Sequence, residues 1–188
     1  LILGKATQAF DMKREDPRVV DKYGGGLGQS LLTARRLCEV GCGFVAVSLQ
    51  GWDMHGNVAG GMNGRGPQVD RAVSAFVSDI HQRGLDKNIL LVISGEFGRT
   101  PRINKNAGRD HWGPLSTLAL AGGGLNMGQV VGKSSPKAEV PAGGKVGPQE
   151  LMATVFHVLG IERETSFDDP AGRPIPMLGT GQPIKGLI

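Results

Sequence analysis

Apolar residues recur at helical spacing in three stretches of the chain. Over Leu27 to Glu39, Leu27, Leu31, Ala34 and Cys38 fall on one face, and Gly41 and Gly43 follow as stops. Over Gln68 to Arg83, Val69, Ala72, Val73, Phe76, Val77 and Ile80 form one stripe, which Gly84 ends. Over Gln149 to Leu159, Met152, Val155, Phe156 and Leu159 share a face, and Gly160 closes the helix. Other runs have a different character. Phe44 to Leu49 (FVAVSL) and Asn88 to Ile93 (NILLVI) are short and apolar, and each reads as a strand. NILLVI is apolar on both faces, which suits a fully buried strand of a parallel sheet. Leu115 to Ala121 (LSTLALA) is a third such run. Helix, strand and polar loop therefore alternate twice, and that alternation predicts an α/β fold with right-handed crossovers.

The remainder reads as connection. Gly122 to Pro148 is rich in Gly, Pro, Ser and Lys and predicts loop, with a short hairpin around Gln129 to Gly132. Residues 161–188 carry several Pro and Gly and predict an irregular tail. One domain spans all 188 residues, enough for a real core. The net charge is +4, from 21 basic and 17 acidic residues. The basic residues are scattered, which argues against a nucleic-acid surface. No run approaches the ~18 apolar residues of a membrane span. Cys38 and Cys42 sit at a helix end and its following turn, and no pairing or zinc pattern surrounds them; they read as free buried thiols. The chain opens on Leu1 with no signal segment, and its first apolar residues lead straight into the charged stretch Asp11 to Asp21, as expected of a piece of a longer protein.

Two polar segments carry the candidate chemistry. The first is Gly51-Trp52-Asp53-Met54-His55-Gly56-Asn57. In extended backbone, alternate side chains point the same way, so Asp53 and His55 can face one ion. Gly51 and Gly56 allow the sharp turns of a binding loop. The second runs from Ser94 to Trp112 (SGEFGRTPRINKNAGRDHW) and supplies Glu96, Asp110 and His111. Each segment follows a predicted strand, and in open α/β sheets ligands collect beyond the carboxyl ends of strands. Asp110 and His111 are adjacent, so one can ligate a metal while the other supports it from behind. Arg99, Arg102 and Arg109 lie between Glu96 and His111, and arginine suits a bidentate grip on phosphate or sulfate. Carboxylates with imidazoles and no thiolate select zinc, manganese or iron. Five candidate ligands leave room for one ion or two. The alternative reading makes the carboxylates turn caps and the arginines solvated loop charges. His81 and His157 lie off the apolar stripes and read as solvated, and Trp52 and Trp112 as packing beside the site. The run Gly24-Gly25-Gly26-Leu27-Gly28 precedes a helix and could cradle an anion, but it follows no evident strand, so it supports neither a dinucleotide site nor a P-loop.

The runs YGGGLGQSLLTARRLCEVGCGFVAVSLQGWDMHGN, SGEFGRTPRINKNAGRDHW and ELMATVFHVLGI resemble the DUF1501 family, bacterial proteins of uncharacterised function. That family is grouped with the alkaline phosphatase and sulfatase superfamily. The resemblance implies a three-layer sandwich with a mainly parallel sheet and helices on both faces, here incomplete at its N-terminus. It implies a metal site, often of two ions, with zinc or manganese foremost, acting on phosphate or sulfate esters. Asp53 and His55 resemble the acidic-plus-His pair that serves one metal, and His111 the later lone His ligand. Where the superfamily has an Asp-His metal motif, this chain has Glu96-Phe97; Glu96 can ligate and Phe97 cannot. The early metal-binding Asp and the attacking hydroxyl or formylglycine would precede this chain, as would a twin-arginine export signal. The whole protein is thus expected in the periplasm or outside the cell, with a small anionic ester as substrate. The alternative is an exported, non-catalytic binding or assembly protein that retains the hydrolase fold.

Overall fold

A computed structural model describes residues 2–188. The N-terminal part is helical: α1 (Ile2–Phe10), a single 3₁₀ turn (Met12–Arg14), α2 (Pro17–Tyr23), α3 (Leu27–Glu39) and α4 (Val58–Gln82). Short strands follow: β1 (Leu90–Ile93), β2 (Gly98–Arg99), β3 (His111–Trp112), β4 (Ala119–Gly122), β5 (Lys133–Ser134) and β6 (Pro141–Gly143). Helix α5 (Pro148–Val158) and the strands β7 (Ser166–Asp168) and β8 (Pro174–Pro176) complete the chain.

The expected parallel three-layer sandwich does not form. Among the described residues, the strands make four two-stranded sheets, β1–β4, β2–β3, β5–β6 and β7–β8, all antiparallel. The physical reason lies in the connections. A parallel pair needs a crossover, usually a helix. The segment from Ser94 to Leu118 contains no helix, so the chain returns beside β1 in the opposite direction and pairs Leu90 with Gly122 and Ile93 with Ala119. β1 is also only half-buried, with Val92 exposed, unlike a central parallel strand. Phe44 to Leu49 joins no sheet, and Phe44 is 78% exposed. β-branched residues fit a pleated surface, but they do not provide a partner.

The helices follow their stripes more closely. Tyr23, Leu31, Leu32, Ala72, Phe76, Ile80 and Ile89 close the main core between α2, α3 and α4. α4 begins ten residues before the predicted start, running through Gly60, Gly61, Gly64, Gly66 and Pro67. The side chain of Asn57 caps it by accepting from the Gly60 amide at 3.2 Å. Side chains at Gly60 and Gly61 would collide with Asn57 and Met54, so these glycines let the loop before the helix lie on its first turn. The glycine run before α3 serves a tight reversal: a side chain at Gly28 would strike the Tyr23 carbonyl that ends α2. A second, smaller core gathers Leu125, Ile184 and Leu187, which draws the C-terminal residues back onto β1, β4 and α5. Thr154 on α5, fully buried, accepts from the Ile184 amide at 2.8 Å. The predicted loop and tail each contain a hairpin, β5–β6 and β7–β8; the first lies just beyond the expected Gln129 to Gly132. Cys38 and Cys42 are free and half-buried. No helix among the described residues is long and apolar enough to cross a membrane.

The charged stretch from Asp11 to Asp21 is not a solvated lead. Glu15 turns inward to Arg35 (2.5 Å), Arg36 (3.0 Å) and Arg83 (2.8 Å). Burial alone would push its carboxyl up; the hydrogen bonds from Arg35 and Arg36 outweigh burial and hold it at about 2. A carboxylate depressed in the folded state stabilises fully above its unfolded value of ~4.3, and that contribution is lost as pH falls through the folded value. The melting temperature should therefore decline as pH drops from ~4.5 toward ~2. Glu15→Gln should flatten that limb in a thermal melt series; an unchanged limb would mean that Glu15 does not carry it.

Candidate metal centre

The two polar segments meet through backbone pairing. Asn57 donates its amide to the Asn106 carbonyl (3.0 Å), Val58 to Ala107 (2.8 Å) and Arg109 to Met54 (3.0 Å). Gly108 is buried against the His55–Gly56 backbone, where any Cβ would overlap the His55 carbonyl. The second segment folds on itself through β2–β3, which pairs Arg99 with His111. Ala107 takes a left-handed φ of 57° at the turn of its loop.

This docking brings three ligand atoms to one point. Asp53 Oδ1 lies 2.9 Å from His55 Nε2 and 2.9 Å from His111 Nε2, and the two imidazole nitrogens are 3.2 Å apart. Ligands on a tetrahedral zinc with bonds of ~2.0–2.1 Å stand ~3.3 Å apart, so the spacing suits a small divalent ion. The i, i+2 spacing does what alternation predicts and turns Asp53 and His55 to one side. Asp110 stands behind: His55 Nδ1 donates to Asp110 Oδ1 at 2.6 Å, which places a proton on Nδ1 and leaves Nε2 facing Asp53. A cation bound among these three atoms would take the place of the imidazole proton that hydrogen-bonds to Asp53 Oδ1. All three residues are exposed, so an ion held there would keep coordination positions open to solvent.

Charge shapes the site further. Arg99 Nη1 donates to Asp53 Oδ1 at 2.5 Å. That hydrogen bond, followed by the one from His111, holds the Asp53 carboxyl down at about 2. The His55 hydrogen bond holds the Asp110 carboxyl below the ordinary range. Phe97 packs its ring on His111, with centroids 4.4 Å apart, and Arg99 lies over the same phenyl ring at 5.6 Å.

The other predicted site residues stand elsewhere. Glu96 is exposed, away from the triad, 3.8 Å from Arg99 Nη2. Arg109 turns to the loop carbonyls of Thr100 (2.5 Å) and Pro101 (2.7 Å). Arg102 is exposed, and its carbonyl accepts from the Thr100 hydroxyl. Asn104 was not singled out by sequence, yet it binds both segments together. Its Nδ2 donates to the His55 carbonyl (3.0 Å) and to Asp110 Oδ1 (3.1 Å), while its Oδ1 accepts the Asn106 and Gly108 amides (2.9 Å each). Asn readily bonds backbone two residues on, and that propensity was the one available signal. A cleft of about 310 Å³ is lined by Phe97, Arg99, Arg109, Ser116 and Thr117 among others, and Arg99 links it to Asp53.

A family model described as "Protein of unknown function (DUF1501)" matches residues 2–188. No curated protein and no solved structure matches the chain.

Proposed function

The chain belongs to the DUF1501 family, and from the site we propose a metal-dependent hydrolase domain acting on phosphate or sulfate esters. The observation that supports it is the convergence of Asp53, His55 and His111 on one point, with Asp110 fixing the His55 tautomer. The fold does not enter the reading; the side-chain set does. Asp53 Oδ1, His55 Nε2 and His111 Nε2 would hold zinc or manganese. Such an ion would polarise an ester oxygen and neutralise developing charge. Arg99, which bonds Asp53 and lines the cleft, would hold the anionic group, and Arg109 braces the loop that carries it. Asn104 keeps His55 and Asp110 in register through its four hydrogen bonds. The attacking hydroxyl would come from outside the triad, and the protein would act after export.

The test is hydrolysis of p-nitrophenyl phosphate and p-nitrophenyl sulfate with zinc or manganese supplied. The expected result is metal-dependent product release that chelation stops and that His111→Ala lowers by ~100-fold or more. Metal bound without turnover of either ester would favour a second reading, a non-catalytic binding or assembly protein. The packing of Phe97 on His111, where another metal ligand could stand, favours that reading.

A further inference from the structure

Asp53 Oδ1 serves two masters. It is the corner of the triad, 2.9 Å from both imidazole nitrogens, and it also accepts Arg99 Nη1 at 2.5 Å. A divalent ion held by that oxygen would share it with a guanidinium that never loses its charge. Two cations on one carboxylate oxygen repel, so Arg99 competes with any metal for Asp53. The guanidinium is not free to drift into solvent, being only 23% exposed. It lies over the Phe97 ring, with Glu96 3.8 Å away on its other nitrogen. It also lines a cleft of about 310 Å³, a volume ample for a tetrahedral oxoanion.

We infer that Arg99 makes metal and oxoanion binding interdependent: it opposes the metal when the cleft is empty and favours it when an oxoanion bridges guanidinium and metal. The inference rests on the metal site proposed above and adds its regulation. An oxoanion presents one oxygen to the guanidinium fork and another toward the triad, and its negative charge turns the repulsion between two cations into two attractions. Glu96 offers the displaced guanidinium a nearby carboxylate while the exchange takes place. Linkage makes the effect reciprocal, so the factor by which the anion tightens metal binding is the factor by which the metal tightens anion binding. The chain would then hold metal weakly until substrate or product is present.

The test is calorimetric titration of the full chain with zinc chloride, with and without sodium sulfate, at constant ionic strength. In the parent, sulfate should tighten zinc binding by ~10-fold, within the usual range of coupling between sites. Arg99→Gln should bind zinc at least ~5-fold more tightly than the parent without sulfate, and sulfate should change nothing. Arg99→Lys, which keeps the charge and loses the fork, should retain weak binding in the absence of sulfate and lose most of the sulfate effect. Circular dichroism establishes that each variant is folded, and Arg99→Lys carries the comparison alone if Arg99→Gln is not. Zinc binding by the parent that neither sulfate nor the substitutions alter would overturn the inference and leave the metal site standing. Zinc binding by neither the parent nor the folded variants would overturn the metal site itself, and the inference with it.

Discussion

Arg35→Ala should cost about 3–5 kcal/mol of folding stability, the usual penalty for removing one partner of a buried ionic cluster. Arg35 sits on α3 with 1% of its surface exposed. It meets Glu15 at 2.5 Å, Glu39 at 2.5 Å and Asp79 at 3.0 Å, and Tyr23 donates to the same Asp79 oxygen at 2.9 Å. Its removal leaves the buried carboxylates of Glu15 and Asp79 with Arg83, and Glu15 also with Arg36, as remaining cations. Those two are already engaged, and Arg36 is committed to the carbonyls of Gln8, Ala9 and Asp11 at the end of α1. Burial pulls the Arg35 guanidinium toward losing its proton, and its bonds to Glu39 and Glu15 more than reverse that pull, so the cation is permanent. A domain is stable by roughly 5–15 kcal/mol, so this single change threatens the N-terminal helices as a unit. Arg18→Ala is the control: its pair with Asp16 is 89% exposed on the arginine side, and such surface pairs add little to stability. Urea unfolding followed by circular dichroism measures both. An Arg35→Ala midpoint close to that of Arg18→Ala would mean that Arg36 and Arg83 suffice.

His55→Ala with His111→Ala should abolish metal binding, whereas Asp110→Asn should only weaken it, by ~10–100-fold. The difference follows from what each side chain touches. The two imidazoles supply two of the three converging atoms, and Asp53 alone cannot hold a transition metal against water. Asp110 reaches the site only through His55 Nδ1, at 2.6 Å. An asparagine there keeps the shape and an acceptor oxygen, but it removes the charge that raises the basicity of Nε2. His55 and His111 are exposed and about half of the Asp110 side chain faces solvent, so their replacement should leave the urea unfolding midpoint close to that of the parent. Loss of metal without loss of fold separates ligation from packing.

How far the chain could be read varied with the range of the interaction. α3, α5 and the second half of α4 show themselves as apolar stripes because a helix face is a local pattern. The first half of α4 does not, because its four glycines and Pro67 argue against helix; the Asn57 cap and the close packing of Met54 override that propensity. Glu15 looked like one more charge in a polar stretch, since nothing local reveals partners 20 and 68 residues away. The strand runs were legible as apolar segments, but their pairing was not. Composition says that Leu90–Ile93 wants a neighbour, and only the helix-free return to Ala119 decides that the neighbour runs antiparallel. At the site, Asp53, His55, Asp110 and His111 stood out by residue type and spacing. Asn104 did not, because its role depends on the docking of two segments about fifty residues apart in sequence. Residue type grouped Glu96 and Arg102 with the site; Glu96 is exposed and reaches it only through Arg99, and Arg102 is exposed.

The most direct measurement is metal content by elemental analysis, on the purified chain after incubation with zinc or manganese and on the His55→Ala, His111→Ala variant treated alike. Asp53, His55 and His111 acting as ligands should give about one bound ion per parent chain and none in the variant. Equal metal in both proteins, or none in either, would contradict a metal centre built from these residues.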